Sequence, residues 1–291
     1  MPKPPIGLPP RATLSSLMDG RDAIVSDVWG VVHNGVRASA SACDALARAR
    51  AAGKAVVLLS NAPRPHGAVI QQLDGLGVPR EAYDAVVTSG DLTRAMLEAD
   101  PWAWVHHVGP PRDAPLFDGN DLTFSAPDEA DVCVVSGLLD DETEQASDYD
   151  PLLATLLEHD VPMACANPDL VVERGDRLIP CAGAIADRYL GMGGSVTYYG
   201  KPHAIAYEAA LAKLSAVLGR PVDTRRVLAI GDAVRTDMIG ARDAGIDGLF
   251  LGAGIHAGAL GGPDAIDEAA LLALLREGRV TPVGWAWTLT W

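Results

Sequence analysis

Asp27, Ser60 and Asp232 each close an apolar run of the kind that forms a strand buried on both faces, and Lys201 stands in a Gly-Lys-Pro turn ahead of a helical stretch. Strand ends in a parallel sheet converge on one edge, where α/β proteins place their ligands, so residues far apart in sequence can share one small site. The chemistry this set suits is phosphoryl transfer. A carboxylate can attack phosphorus, a hydroxyl and an ammonium can hold the phosphoryl oxygens, and a second carboxylate can bind Mg²⁺. Each residue alone has a plainer reading: Asp27 caps a turn before Gly30, Lys201 is a surface lysine, and Asp237 is an acid on a helix face.

The elements that must position these residues follow in order. A short helix at Leu14 to Met18 leads into a strand over Ala23 to Val32, then an Ala-rich helix from about Ser39 is closed by Gly53. Strands at Lys54 to Ser60 and Ala85 to Ser89 alternate with helices ending near Gly77 and Glu98. Such alternation argues for a doubly wound, Rossmann-like parallel sheet covered on both faces. Around Asp100-Pro101 the texture becomes rich in Pro, Gly and Asp, and up to Gly194 it is read as an inserted α/β domain. Its strands are expected at Trp104 to Val108, Val132 to Val135 and Pro162 to Ala166, with a helix opening at Asp150-Pro151. Gly191-Met-Gly-Gly194 is a hinge or simply a loop. The first pattern resumes at Val196, with a helix from His203 to Leu218, strands at Arg226 to Asp232 and Gly248 to Gly252, and a last helix over Asp264 to Arg276. The expected division is therefore core 1–99, inserted domain 100–194 and core 195–291. The tail Trp285 to Trp291 packs on the core or on a partner, and no internal repeat is found.

The 291 residues suffice for about two domains, and 48% hydrophobic residues supply an ample core. No apolar run reaches the roughly 18 residues that span a bilayer, and the Pro-rich start has no signal-peptide apolar region, which argues for a cytoplasmic location. Cys43, Cys133, Cys165 and Cys181 form no C-x-x-C pair, so reduced buried thiols are expected. A net charge of -15 argues against nucleic-acid or anionic-membrane partners. The acidic run Asp140 to Asp150 lacks EF-hand spacing and reads as a solvated loop. Gly252-Ala-Gly254-Ile-His-Ala-Gly258 has neither the spacing nor the position of a dinucleotide fingerprint and reads as a turn.

Together, Asp27-Val-Trp29-Gly30, Ser60-Asn61, Gly200-Lys201-Pro202 and Gly231-Asp232-Ala-Val-Arg-Thr236-Asp237 resemble the four motifs of the haloacid dehalogenase superfamily, in the right order and on the right elements. The extra domain between the second and third motifs is similar to the α/β cap of the sugar-phosphate and nitrophenyl-phosphate phosphatase subfamily, and Asn167-Pro168-Asp169 is similar to an N-P-D segment in those caps. The resemblance implies Asp27 as nucleophile, and Ser60 and Lys201 as phosphoryl ligands. It further implies a Mg²⁺ site of Asp27, the Trp29 carbonyl and Asp232, with Asp237 orienting a metal-bound water or Lys201. Trp29, Gly30, Asn61 and Asn167 would border a small phosphorylated metabolite. His33, His106, His107 and His203 complete no ligand pair at useful spacing.

The chain departs from the family pattern at Trp29, where the phosphatases place the Asp that protonates the leaving oxygen; an indole donates a hydrogen bond but is no acid at pH 7. Three readings follow. The first is a phosphatase whose substrate leaves well or brings its own proton donor. The second is a carbon-halogen hydrolase, which retention of Asp232 and Asp237 argues against. The third is a catalytically weak binder of a phosphorylated ligand. The sequence leaves the oligomeric state open, a homodimer included.

Overall fold

The computed structural model describes residues 7–99, 102–175 and 177–291. The start of the Pro-rich arm and the expected boundary at Asp100-Pro101 lie outside the described residues. The chain first lays down β1 (Ala23–Ser26), β2 (Ala55–Ser60) and β3 (Ala85–Thr88). The middle of the chain supplies β4 (Trp104–Val108), β5 (Thr123–Phe124), β6 (Val132–Val135), β7 (Met163–Cys165), the antiparallel hairpin β8 (Val171–Arg174) and β9 (Arg177–Pro180), and β10 (Val196–Tyr198). The chain returns with β11 (Val227–Gly231), β12 (Asp247–Leu251) and β13 (Gly284–Ala286).

Two compact units result. One takes the chain up to Leu59, Gln72–Val87 and Tyr207–Trp291; the other takes Ser60–Gln71 and Thr88–Ala206. The first sheet has the order β13-β12-β11-β1-β2-β3, and β1 runs parallel to both β11 and β2. All four residues of β1 and all six of β2 are buried, as strands covered on both faces must be. β13 pairs with β12, and the Leu14 N–H donates to the Thr290 carbonyl at 2.8 Å, so the tail packs on its own unit.

β1 is shorter than the apolar run predicts. Asp27 Oδ1 accepts from the Val28 N–H at 2.6 Å, the N–H groups of Val32 and His33 both donate to the Val28 carbonyl, and Gly30 turns the chain at φ +86°. Val31 and Val32 are buried in this turn rather than in a strand.

The second sheet, β10-β7-β6-β4-β5, is covered on both faces with the two-residue period of a strand. Val132 and Val134 face a cluster with Met96, Leu97 and Leu116, while Cys133 and Val135 face Leu153, Leu156, Ile185 and Tyr189. Burying Leu153 and Leu156 contributes about 1.5–3 kcal/mol each. Val196–Tyr198, read from sequence as the return to the first sheet, pairs instead with β7 in the second. A three-residue strand carries no mark of its partner; here the N–H of Met163 donates to the Ser195 carbonyl and that of Tyr199 to the Cys165 carbonyl, which fixes the pairing.

The acidic run is not wholly solvated either. Asp141 is buried between Arg112 at 2.5 Å and Arg174 at 2.8 Å. Burial acts to raise its pKa, and the hydrogen bonds from the two arginines overcome it and hold the carboxyl below the usual range. The four cysteines are buried and form no disulfide. Among the described residues no helix is long and apolar enough to cross a membrane.

Candidate active site

The first unit brings together Asp27, Asp232 and Asp237. They follow β1 and β11, neighbours in the sheet, and the Asp27 N–H extends the ladder by donating to the Ile230 carbonyl at 2.8 Å. One carboxylate oxygen from each lies within 4.8 Å of the others, and the three residues are 8%, 4% and 3% exposed. Asp237 reaches the cluster because a single π-type turn (Val234–Met238) begins two residues after Asp232. Its Oδ2 accepts from the Ala233 N–H at 3.1 Å, and its carbonyl accepts from the Tyr207 hydroxyl at 2.9 Å.

Glycines make room for the cluster. A Cβ on Gly30 or on Gly254 would overlap the Asp232 carboxylate, and one on Gly231 would overlap that of Asp237. Asp232 Oδ2 also accepts from the Ile255 N–H at 2.8 Å. The glycine-rich stretch after β12 is thus a turn, as its spacing indicates, and it holds Asp232 in place. That role was invisible in sequence because nothing in a glycine's neighbours names the side chain it must admit. His256 on the same turn is pushed below its ordinary pKa by burial, with the Asp237 charge acting against the shift.

Trp29 stands two residues beyond Asp27, and its loop is folded on it. The indole meets the His33 ring edge-on with centroids 4.9 Å apart, and its ring lies so close over Gly35 that a Cβ there would overlap it. His33 is buried, and its Nδ1 accepts from the Gly35 N–H at 3.0 Å.

The second unit brings together Asn61, Lys201 and Asp169. Lys201 is buried; its N–H donates to Asn61 Oδ1 at 2.7 Å and its carbonyl accepts from Asn61 Nδ2 at 3.1 Å. Asn61 Nδ2 also donates to Asp169 Oδ1 at 2.9 Å, and the Ser89 hydroxyl donates to Asn61 Oδ1 at 3.3 Å. Asn167 joins one step removed, its Oδ1 accepting from the Asp169 N–H at 3.1 Å. A Cβ on Gly200 would strike Ser89 and Asn61, so the residue before Lys201 has to be small. Ser60, at the end of β2, accepts from the Ala62 N–H at 3.1 Å. Asp169 and Ser89 are the residues that sequence reasoning left without a role here. Asp169 could have been found from the N-P-D segment; Ser89 carries no such mark.

The residues of the first unit fit a hard divalent cation. Three buried carboxylates this close repel one another unless a cation or protons offset them, and an all-oxygen donor set suits Mg²⁺. A carboxylate held in a turn at a strand end is also a competent nucleophile for an electrophilic centre.

Comparison with known proteins identifies the family. A family model for haloacid dehalogenase-like hydrolases matches residues 24–123, and a HAD-hydrolase-like model matches residues 198–273. A haloacid dehalogenase-like hydrolase of Brucella suis 1330 is 45% identical over 97% of this chain and 100% of that one, with a TM-score of 0.85. The 5'-nucleotidase YutF of Bacillus subtilis is 23% identical over 79% of this chain and 86% of that protein. A p-nitrophenyl phosphatase from Archaeoglobus fulgidus shares the fold at 19% identity, a TM-score of 0.69, and coverage of 91% and 95%. With its motif residues at the ends of β1, β2 and β11, and an α/β cap inserted between the second and third motifs, this chain belongs to the haloacid dehalogenase-like hydrolases.

Proposed function

We propose that this hydrolase is a Mg²⁺-dependent phosphatase that acts on a small phosphorylated metabolite through an aspartyl-phosphate on Asp27. The observation that supports it most is the convergence of Asp27, Asp232 and Asp237, because carbon-halogen hydrolysis needs no metal ion and gives a three-carboxylate metal cluster no evident task. The named relatives, a nucleotidase and a phosphatase, point the same way. In this reading residues 100–194 are the cap, joined by β10 (Val196–Tyr198), and the rest of 1–99 and 195–291 is the core.

An Asp27 oxygen attacks phosphorus as the bond to the ester oxygen breaks, and water then hydrolyses the acyl phosphate to free phosphate and restored carboxylate. Ser60 and Lys201 hold the phosphoryl oxygens, Gly30 and Asn61 border them, and Asn167 acts on the substrate side through Asp169. Asp27, Asp232 and the Trp29 carbonyl would hold Mg²⁺, with Asp237 orienting its water or Lys201; when bound, the cation offsets the charge of phosphate and carboxylates. Trp29 supplies no proton, so the ester oxygen must leave as an anion or take a proton from the substrate itself.

The packing of Trp29 into its own loop favours one second reading, a weakly catalytic protein that binds a phosphorylated ligand. Turnover of p-nitrophenyl phosphate with and without Mg²⁺ separates the two. Metal-dependent turnover supports the phosphatase, and ligand binding without turnover supports the binder.

A further inference from the structure

A cavity of about 370 Å³ lies within the first unit, on the flank of the loop that presents Asp27. Gly30, Asn34, Arg37, Ser39, Leu251 and Trp287 are among its walls, and no lining residue is an acid. That absence is notable in a chain of net charge -15. Its volume falls in the range of small-ligand pockets.

Three features of its wall favour an anion. The Arg37 guanidinium makes no ion pair or side-chain hydrogen bond among the described residues, and only its backbone is engaged, with Asn34. Asn34 Oδ1 accepts from the N–H groups of Val36 and Arg37 at 3.1 and 3.0 Å, which leaves its Nδ2 as a donor. Ser39 opens the twelve-residue helix Ala40–Ala51 and caps it by accepting from the Ala42 N–H at 3.4 Å, and the first turn holds no acid to compete for its positive end. Trp287 is a further lining residue. Trp287 is fixed by the donation of the Ala253 N–H to its carbonyl at 2.8 Å and by its ring packing on Gly252, so it offers a preset face to a planar group.

We propose that this cavity is a second ligand site, beside the Asp27 centre and sharing only Gly30 with it, that takes a planar ring bearing a phosphate or a carboxylate. The anionic group meets Arg37, Asn34 and the helix start, and the ring lies on Trp287. The proposal does not depend on the phosphatase reading.

Phenylphosphonate tests it, because its P–C bond resists hydrolysis at any phosphatase centre. The readout is the indole N–H resonance of Trp287, one of six tryptophans, assigned with Trp287→Phe and followed with and without Mg²⁺. The expected result is a saturable shift of that resonance in both conditions. Methylphosphonate, which lacks the ring, and benzyl alcohol, which lacks the charge, should each bind at least tenfold more weakly. Benzoate run alongside decides whether carboxylate or phosphate is preferred. Arg37→Ala should weaken binding at least tenfold and Arg37→Lys less, while metal-dependent p-nitrophenyl phosphate turnover stays unchanged in both. No shift with either aromatic anion up to about 10 mM, equal binding by methylphosphonate, or full affinity in Arg37→Ala overturns the proposal. Loss of turnover in Asp27→Asn with the Trp287 shift intact tests the catalytic reading separately.

Discussion

Asn61 holds both backbone groups of Lys201 with one side chain, accepting from its N–H at 2.7 Å and donating to its carbonyl at 3.1 Å across 140 residues of sequence. An amide is the one side-chain group short enough and two-sided enough to do this, since it carries an acceptor and a donor on one carbon. A buried ammonium is costly to place, and in the proposed mechanism fixing its backbone spares entropy when it meets a phosphoryl group.

Asn61→Ala therefore removes the hydrogen bonds that its side chain makes to the N–H and carbonyl of buried Lys201, at a cost of about 1–3 kcal/mol each. The expected outcome is a fall of about 10–100-fold in kcat/KM for p-nitrophenyl phosphate. Asn61→Asp, which keeps the acceptor but loses the donor and sets a second carboxylate against Asp169, should fall at least as far as Ala. Steady-state kinetics on the three proteins check the order.

Asp27→Asn should abolish turnover, by at least about 10³-fold, with the fold retained, because an amide nearly matches the carboxylate in shape but is a poor nucleophile. Circular dichroism and single-turnover assays read the two halves of that outcome. Wild-type activity in this variant would remove Asp27 from the nucleophile's role.

Gly254→Ala places a methyl group where Asp232 now sits. The variant should need about 10–100-fold more Mg²⁺ for half-maximal activity, the size of effect that displaced supporting groups have on metal sites. Calorimetric titration of Mg²⁺ into both proteins measures it, and an unchanged affinity would count against Asp232 as a ligand.

General acid catalysis contributes typically about 10²–10⁴-fold, so without an acid at Trp29 the enzyme should favour aryl and acyl phosphates, whose leaving groups are stable anions, over alkyl phosphates of similar fit. Trp29→Asp should narrow the aryl-to-alkyl ratio of kcat/KM. The indole also packs on Gly35 and His33, so the variant's melting temperature and Mg²⁺ affinity are measured beside the ratio. A folded, metal-binding variant with an unmoved ratio would show that the missing proton is not what limits the reaction.

His107 gives the second unit a pH dependence. Burial pushes its pKa down to about 4, with the neighbouring His106 acting the same way, while Nε2 lies 2.9 Å from the Ser136 hydroxyl. The unfolded chain binds a proton near pH 6.5 that the folded unit refuses, so this residue lowers stability as pH falls from about 6.5 to 4 and adds no further slope below that. Asp113, raised by burial, acts in the opposite direction at the acid end. Denaturant unfolding of wild type and His107→Gln across that range should show a shallower acid loss in the variant.

What the sequence determined by itself was local. Apolar runs ending in Asp27, Ser60 and Asp232 marked buried strands, the alternation of strands and helices marked the sheet class, and Gly200-Lys201-Pro202 and Asp232 to Asp237 marked their elements, because each pattern lies within a single strand, turn or helix start. Tertiary structure alone decided the rest. Only folding shows that Gly254 must lack a side chain for Asp232 to fit, that Asn61 and Asp169 frame Lys201, and that Trp29 is packed against Gly35. It also decided that Val196–Tyr198 joins β7, and that Val31 and Val32 serve a turn instead of a strand. Such facts depend on close approach between segments far apart in the chain or on how hydrogen bonds close a loop, and a hydrophobic period records which face is buried but not what buries it.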